Sequence, residues 1–206
     1  MKILVTGSYG QLGRSLFNYL KSNNEILWSG RNMPLSVNGF YLDICDRLNL
    51  RDLISLHNPD ILINLAALTN VDLCENNSDL AREINTNGVR NICDTFKGKI
   101  VQLSTDYVFD GKNGPYLEED EVFPLSVYGK TKLEAEKIVM SHNSDNLIIR
   151  GNVLYDNCIG SRASFLNWVV QSLREKTPIN VVDDQINNPT WAKSMAKIIG
   201  LCVEKE

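Results

Sequence analysis

The first thirteen residues constrain this chain more than any other stretch. An apolar strand, Ile3-Leu4-Val5-Thr6, runs directly into Gly7-Ser8-Tyr9-Gly10-Gln11-Leu12-Gly13, with glycines spaced G-x-x-G-x-x-G. Gln11 to Lys21 follows with Leu12, Leu16 and Leu20 at i, i+4 and i+8, the repeat of an amphipathic helix. Glycines in a strand-to-helix turn allow a tight reversal and let a backbone approach closely. The unpaired N–H groups and dipole of the helix that follows favour an anion there, above all a pyrophosphate. The bland alternative is turn chemistry with no ligand. It loses weight because the turn opens a longer series of alternating elements.

That series reads as follows. Glu25 to Ser29 is a second strand and Gly39 to Leu42 a third. Asp46 caps a helix over 47–57 carrying Leu50, Leu53, Ile54 and Leu56. Ile61 to Ala67 is a buried strand, and Ser78 caps a helix to about Phe96, with Leu80, Ile84 and Ile92 inward. Lys99 to Ser104 is a fifth strand. Residues 106–127 form a loop rich in Gly, Pro and acids, longer than the ~2–6 residues usual for such connections and so expected to be functional. Lys130 to Met140 is helical and Asn146 to Arg150 is a sixth strand. A helix near 163–175, a strand near 179–182 and a helix near 191–204 complete the chain. Alternating strands and helices predict an α/β fold, a doubly wound parallel sheet with helices on both faces. Residues 1–150 are expected to form the nucleotide-binding domain. Residues 151–206 are expected to form part of a smaller substrate lobe, interleaved with the last sheet elements.

Composition removes other classes. Of 206 residues 43% are hydrophobic and 22% charged, and the formal net charge is −4 without a block of like charge. A basic excess, the footprint of nucleic-acid binding, is absent. No apolar run reaches the ~18–20 residues needed to span a bilayer, and Met1-Lys2 leads into three apolar residues and a glycine, too few for a signal peptide. The expected location is the cytoplasm. Cys45, Cys74, Cys93, Cys158 and Cys202 form no C-x-x-C pair and read as small buried hydrophobes in a reducing compartment. Two histidines, His57 and His142, offer neither a zinc motif nor a Ser-His-Asp triad, so no metal site is expected. Gly129-Lys130-Thr131 ends like a Walker A loop, but the upstream glycine position holds Pro124.

The end of the second strand tests the dinucleotide reading. NAD-binding turns usually find an acid ≈ 20 residues past the glycines, for the ribose 2′-OH. Here the sequence is Ser29-Gly30-Arg31-Asn32, and Arg31 suits a 2′-phosphate instead, favouring NADP over NAD. A solvated loop arginine is the plain reading of Arg31. Asp43-Ile44 closes the third strand, where a carboxylate suits an adenine amino group or, more simply, caps a helix with Asp46. Asn64-Leu65-Ala66-Ala67 ends the fourth strand in small residues that let a cofactor lie close. Ser104-Thr105-Asp106 ends the fifth strand, on the side where open α/β sheets bind ligands. Tyr128 and Lys132 form Y-x-x-x-K at the start of a helix, which puts both on one face. The spacing alone is weak. In this place a nearby ammonium is expected to lower the phenol pKa from its ordinary ~10 and make Tyr128 a general acid/base.

Taken together these residues are similar to the extended short-chain dehydrogenase/reductase family, over essentially the whole chain. The resemblance is strongest in Leu103-Ser-Thr-Asp-Tyr-Val-Phe-Asp-Gly111, in the stretch from Pro124 to Lys137, and in Asp184-Gln185 followed by Pro189-Thr190. It implies Thr105, Tyr128 and Lys132 as the catalytic trio, with Thr105, Asp106 and Tyr128 facing substrate. It implies cofactor contacts from Gly7, Gly10, Gln11, Leu12, Gly13, Asp43, Ile44, Ala66, Ala67, Ser104, Tyr128, Lys132 and Asn152. Asn85 matches an asparagine that backs the lysine through water. The implied activity is an NADP(H)-dependent reduction of a nucleotide-linked 4-keto sugar, with NAD as the second cofactor choice and a homodimer allowed. A sugar-nucleotide epimerase, a non-catalytic NADP-binding subunit and a plain α/β binding module are the alternatives. Dehydratases of the family carry an acid where this chain has Tyr107, which disfavours elimination. Gly151-Asn152-Val153-Leu154 lacks the Thr and Trp that reductases carry after the sixth strand. Family members are also longer than 206 residues, so the smaller lobe is expected to be incomplete.

Overall fold

Ile3 and Val5 turn to one face of the central sheet and Leu4 to the other, and all three are fully buried. A strand covered on both sides needs a helical layer on each. The computed structural model, which describes residues 1–20, 24–32, 38–156 and 165–204, has that architecture. In chain order the elements are β1 (Lys2–Thr6), α1 (Gln11–Leu20), β2 (Glu25–Gly30), β3 (Phe40–Tyr41), α2 (Arg47–His57) and β4 (Ile61–Asn64). Next come α3 (Val71–Asn76), α4 (Ser78–Arg82), a π-helical turn over Glu83–Asn87, α5 (Gly88–Thr95), β5 (Lys99–Thr105) and α6 (Val127–His142). The chain closes with β6 (Leu147–Gly151), β7 (Leu154–Tyr155), α7 (Phe165–Glu175), β8 (Thr190–Trp191) and α8 (Ala192–Glu204).

Six strands pair in parallel in the order β3-β2-β1-β4-β5-β6, with Ile3 opposite Ile26 on one side and Ile61 on the other. The chain reverses its direction of travel across the sheet between β1 and β4, and such a switch point opens a crevice at the carboxyl ends of the strands. Leu12, Leu16 and Leu20 of α1 pack with Met195, Ile199 and Val203 of α8 over one face, on Ile3, Val5, Ile61 and Ile63. Leu50 and Leu53 of α2, Val89 and Ile92 of α5, and Ala135 and Val139 of α6 cover the other, on Leu4, Leu62 and Ile100. The sheet is the expected doubly wound one.

Side-chain caps start several helices. Asp46 accepts the N–H groups of Leu48 and Asn49, Asn70 accepts that of Leu73, and Ser126 accepts that of Gly129, each satisfying an orphan amide of a first turn. Ser126 moves the start of α6 to Val127, ahead of the expected Lys130.

Three features depart from the sequence reading. α3 was not foreseen. The helix expected from Ser78 to Phe96 carries a π turn at Glu83–Asn87. The strand expected near 179–182 is absent: residues 176–189 hold no helix or strand, Val181 and Val182 are exposed, and the pairing falls instead between β7 and β8, Leu154 opposite Thr190. Pro178 and the Asp183-Asp184 pair bracket those valines and favour chain reversal over ladder formation. Cys158 and the first residues of the helix expected near 163–175 lie outside the described residues.

Candidate active site

The glycine turn is built as its spacing demands. Gly7 has φ +65°, and a Cβ there would stand 2.6 Å from the Ala66 nitrogen. A Cβ on Gly13 would stand 2.2 Å from the Ser8 carbonyl oxygen. Both neighbours are backbone, so neither position has room for a side chain. Ser8 binds the turn to the sheet: its Oγ donates to the Val5 carbonyl at 2.6 Å and accepts from the Ser29 amide at 3.0 Å. Over this turn and the carboxyl ends of β1, β2, β4 and β5 lies a cleft of about 780 Å³.

At one end of the cleft are Arg31, Asp43 and Ile44. A guanidinium nitrogen of Arg31 stands 3.8 Å from an Asp43 carboxylate oxygen, and the Arg31 side chain is half exposed. Asp43 accepts from the Cys45 amide at 3.0 Å, whereas Asp46 alone caps α2. The carboxylate therefore lies between a loop cation and its own turn and does no helix capping. Ala66 and Ala67 line the middle of the cleft.

At the other end stand Ser104, Thr105, Asp106, Tyr107 and Tyr128. Ser104 and Thr105 close β5, and α6 brings Tyr128 beside them, where the Thr105 hydroxyl draws the phenol pKa down. Tyr107 packs edge-on against Tyr128, with ring centroids 5.7 Å apart. Thr105 Oγ1 also donates to Asp106 at 3.1 Å and accepts from the Tyr107 amide at 3.2 Å. Burial raises the Asp106 carboxyl above the ordinary range, against the hydrogen bond from Thr105.

Lys132 lies one turn beyond Tyr128 and is likewise buried. Its ammonium donates to the Leu103 carbonyl at 2.6 Å. Desolvation pulls its pKa down to about 8, opposed by the Glu136 carboxylate. The Tyr128 phenol is pushed up to about 12, first by burial and then by Asp106, Cys74 and Tyr107, with the Thr105 hydroxyl acting downward. This corrects the expectation that Lys132 lowers the Tyr128 pKa. The ammonium is turned to the β5 backbone, so the phenol answers to its apolar and acidic neighbours and keeps its proton well above neutrality.

Three expected residues, Asn85, Lys132 and Asn152, lie outside the lining of the cleft. Asn85 sits in the π turn, accepts from the Leu68 amide at 2.8 Å, and donates to the Leu68 carbonyl and the Thr131 hydroxyl. It staples the loop after β4 to α6. Asn152 is followed by Val153 at φ +25°, and its backbone carbonyl accepts from Thr190. Its Oδ1 is buried without a partner, as are Ser104 Oγ and Gln11 Nε2. Ser104 and Gln11 line the cleft, and unpaired buried polar atoms there are groups that a polar ligand satisfies. Together with the glycine cradle, they fit a dinucleotide.

Sequence reasoning missed the floor. Thr6 Oγ1 donates to Asn64, Asn64 Nδ2 donates to Gln102 at 2.8 Å, and Gln102 Nε2 donates to the Leu103 carbonyl at 2.8 Å. This buried ladder runs from the ends of β1 and β4 to the middle of β5 and ends on the oxygen that Lys132 uses. Polar residues at the last positions of β1 and β4, and a glutamine inside the apolar β5, were the available signal.

Fold and cleft together define a Rossmann-type domain whose cleft runs from the glycine turn to Thr105 and Tyr128. More narrowly, the chain belongs to the family of the RmlD substrate binding domain, whose model matches residues 1–206. It is 33% identical over 208 residues to the dTDP-4-dehydrorhamnose reductase of Aggregatibacter actinomycetemcomitans, spanning 99% of this chain and 68% of that protein. Among solved structures it resembles a dTDP-4-dehydrorhamnose reductase from Clostridium acetobutylicum at TM-score 0.88 and 36% identity, over 100% of this chain and 71% of that one. It also resembles the Bacillus anthracis enzyme of the same name, solved in complex with NADP, at TM-score 0.87 and 30% identity, over 99% and 71%.

Proposed function

We propose that this chain is an NADPH-dependent reductase of a nucleotide-linked 4-keto-6-deoxy sugar, with dTDP-4-dehydrorhamnose the first candidate. The observation that carries the reading is that Thr105 and Tyr128 line the end of the same cleft that starts on the glycine turn. The names of the similar proteins support it. The four described cysteines are free, which suits a reducing, cytoplasmic setting.

NADPH, bound along the cleft, supplies the hydride. The amides of the turn from Gly7 to Gly13, with Gln11 and Leu12 between, hold its pyrophosphate, and Arg31 attracts the 2′-phosphate. Asp43 and Ile44 frame the adenine, while Ala66 and Ala67 give it flat walls. Ser104, Lys132 and Asn152 supply polar contacts at the nicotinamide end, and Asn85 holds the elements that carry them. Thr105 donates to the substrate carbonyl oxygen and orients it towards Tyr128. Tyr128 then delivers its Oη proton to that oxygen as charge develops there. A phenol held protonated by burial is loaded for this direction of transfer. Asp106 shares the hydroxyl of Thr105 and faces the sugar. Gly151, Val153, Leu154 and Phe165 border the cleft on the side proposed for the sugar.

The test is NADPH oxidation with a panel of nucleotide-linked 4-keto sugars. Stoichiometric consumption is expected, and Tyr128→Phe should lower kcat by at least ~10²-fold with NADPH affinity retained. Near wild-type turnover in that variant overturns the acid assignment. NADPH that is bound but never consumed with any sugar overturns the reductase reading.

A further inference from the structure

Lys132 is the charged group with the least water around it at this site, and Leu103 offers it only a neutral carbonyl. A buried ammonium with no counter-charge gives up its proton. The groups around it are these. On α6, Tyr128 lies one turn before and Glu136 one turn after. From β5 come the Leu103 carbonyl and, around Tyr128, Thr105 and Asp106. From β6 comes Arg150. From the π turn, Glu83 is hydrogen-bonded to Asn87 and points away. Glu134, also on α6, is paired with Arg82 on the outer face. Glu136 is therefore the carboxylate that acts on Lys132.

Glu136 is held in place. Its side chain is 6% exposed, and Arg150 grips it with two bonds, Nε to Oε1 at 3.0 Å and Nη2 to Oε2 at 2.8 Å. Such a fork fixes orientation as well as charge. The same guanidinium donates to the Glu118 carbonyl at 3.1 Å and lies over the Phe109 ring at 5.1 Å, so it also ties down the long loop after β5.

We propose that Glu136, oriented by Arg150, is a positioning residue that keeps Lys132 protonated in its buried seat, and that Arg150 joins this charge chain to the loop bordering the cleft. The proposal deepens the reductase reading, since it gives the proposed active lysine its counter-charge. Its first test needs no catalysis.

The ¹³Cε shift of Lys132, assigned by its loss in Lys132→Met, is followed against pH in the free protein by NMR. In the unsubstituted chain the midpoint should fall near 8, well below an ordinary lysine. In Glu136→Gln it should drop by about 1 unit, the lower end of what a close opposite charge supplies. Because Arg150 would then be left without its partner, the double variant Glu136→Gln/Arg150→Met removes both charges and avoids a buried unpaired ion. It should show the same drop in a folded protein. Glu136→Asp should recover most of it, and Glu134→Gln should not move the midpoint. An ordinary lysine midpoint in the unsubstituted chain, or no drop in the folded double variant, overturns the proposal. In turnover assays the limb of the pH–kcat profile assigned to Lys132 should shift down by the same amount. Absence of all turnover with the NMR shift intact would count against the reductase reading and leave the charge chain standing.

Discussion

The strands of the central sheet and the segment from 151 to 191 follow opposite rules. In β4 all four residues are buried, and each strand from β1 to β5 except β3 is sealed between helical layers. In the later segment β7 and β8 are two residues each, α7 buries only Ser172, and Leu173, Val182 and Ile186 are 72%, 63% and 101% exposed. Yet almost all of the cleft is supplied by the first region, from Gly7 to Tyr128. The cleft thus rests on the well-packed part of the molecule, and the loosely packed part borders it through Gly151, Val153, Leu154 and Phe165. α8 belongs with the first region although it comes last in sequence, because it packs on α1 and the sheet.

The largest effect is expected where the packing is tightest. Leu62 is fully buried between β1 and β5 and packs under α2 and α5. Leu62→Ala should cost ~2–5 kcal/mol of stability, the transfer energy of the lost atoms plus the cavity they leave. Urea denaturation measures it. A loss below ~1 kcal/mol would mean that the sheet core relaxes around the gap, and the contrast between the two regions would collapse.

What could be read in advance follows the same division. Apolar runs and the Leu12/Leu16/Leu20 repeat made β1, α1, β4 and β5 legible, because burial on two faces leaves a continuous hydrophobic signature. α3 was not legible: six residues, Val71–Asn76, with only Cys74 buried, carry too short a pattern. The π turn was hidden because two helical stretches joined through one extra residue still look like one helix. Val181-Val182 resembled a strand, but a strand exists only where an edge is free to pair with it. Within the site, Gly7, Gly13, Thr105 and Tyr128 were identifiable one by one. Their electrostatics were not, since the Tyr128 shift comes first from burial and then from Asp106, Cys74 and Tyr107 closing around it, and the Lys132 shift from the depth of its seat. Arg31 and Asp43 were each identifiable, but their ion pair depends on how β2 and β3 align.

That pair supplies the intermediate effect. Arg31 is half exposed and 3.8 Å from Asp43, so the pair itself adds little to stability, within the ~0–1 kcal/mol typical of surface pairs. Its proposed task is recognition. Arg31→Ala should weaken NADPH binding about tenfold, roughly 1.4 kcal/mol, and leave NADH binding and the urea midpoint nearly unchanged. Fluorescence titration with both cofactors checks this. Equal losses for NADPH and NADH would remove Arg31 from the 2′-phosphate and make it a general contributor to the adenosine end.

The smallest effect separates the two regions most sharply. Ile186 is fully exposed in the stretch between α7 and β8, where no helix or strand forms. An apolar side chain that stays in water when the chain folds has transferred nothing out of it, so its removal leaves the folding equilibrium alone. Ile186→Ser should change stability by less than ~0.5 kcal/mol, the range of ordinary surface substitutions, in the same urea assay in which Leu62→Ala loses several. NADPH affinity should be unchanged, because Ile186 does not line the cleft. A loss above ~1 kcal/mol would show Ile186 to be covered in solution, and the segment from 151 to 191 would then have to be counted with the packed region.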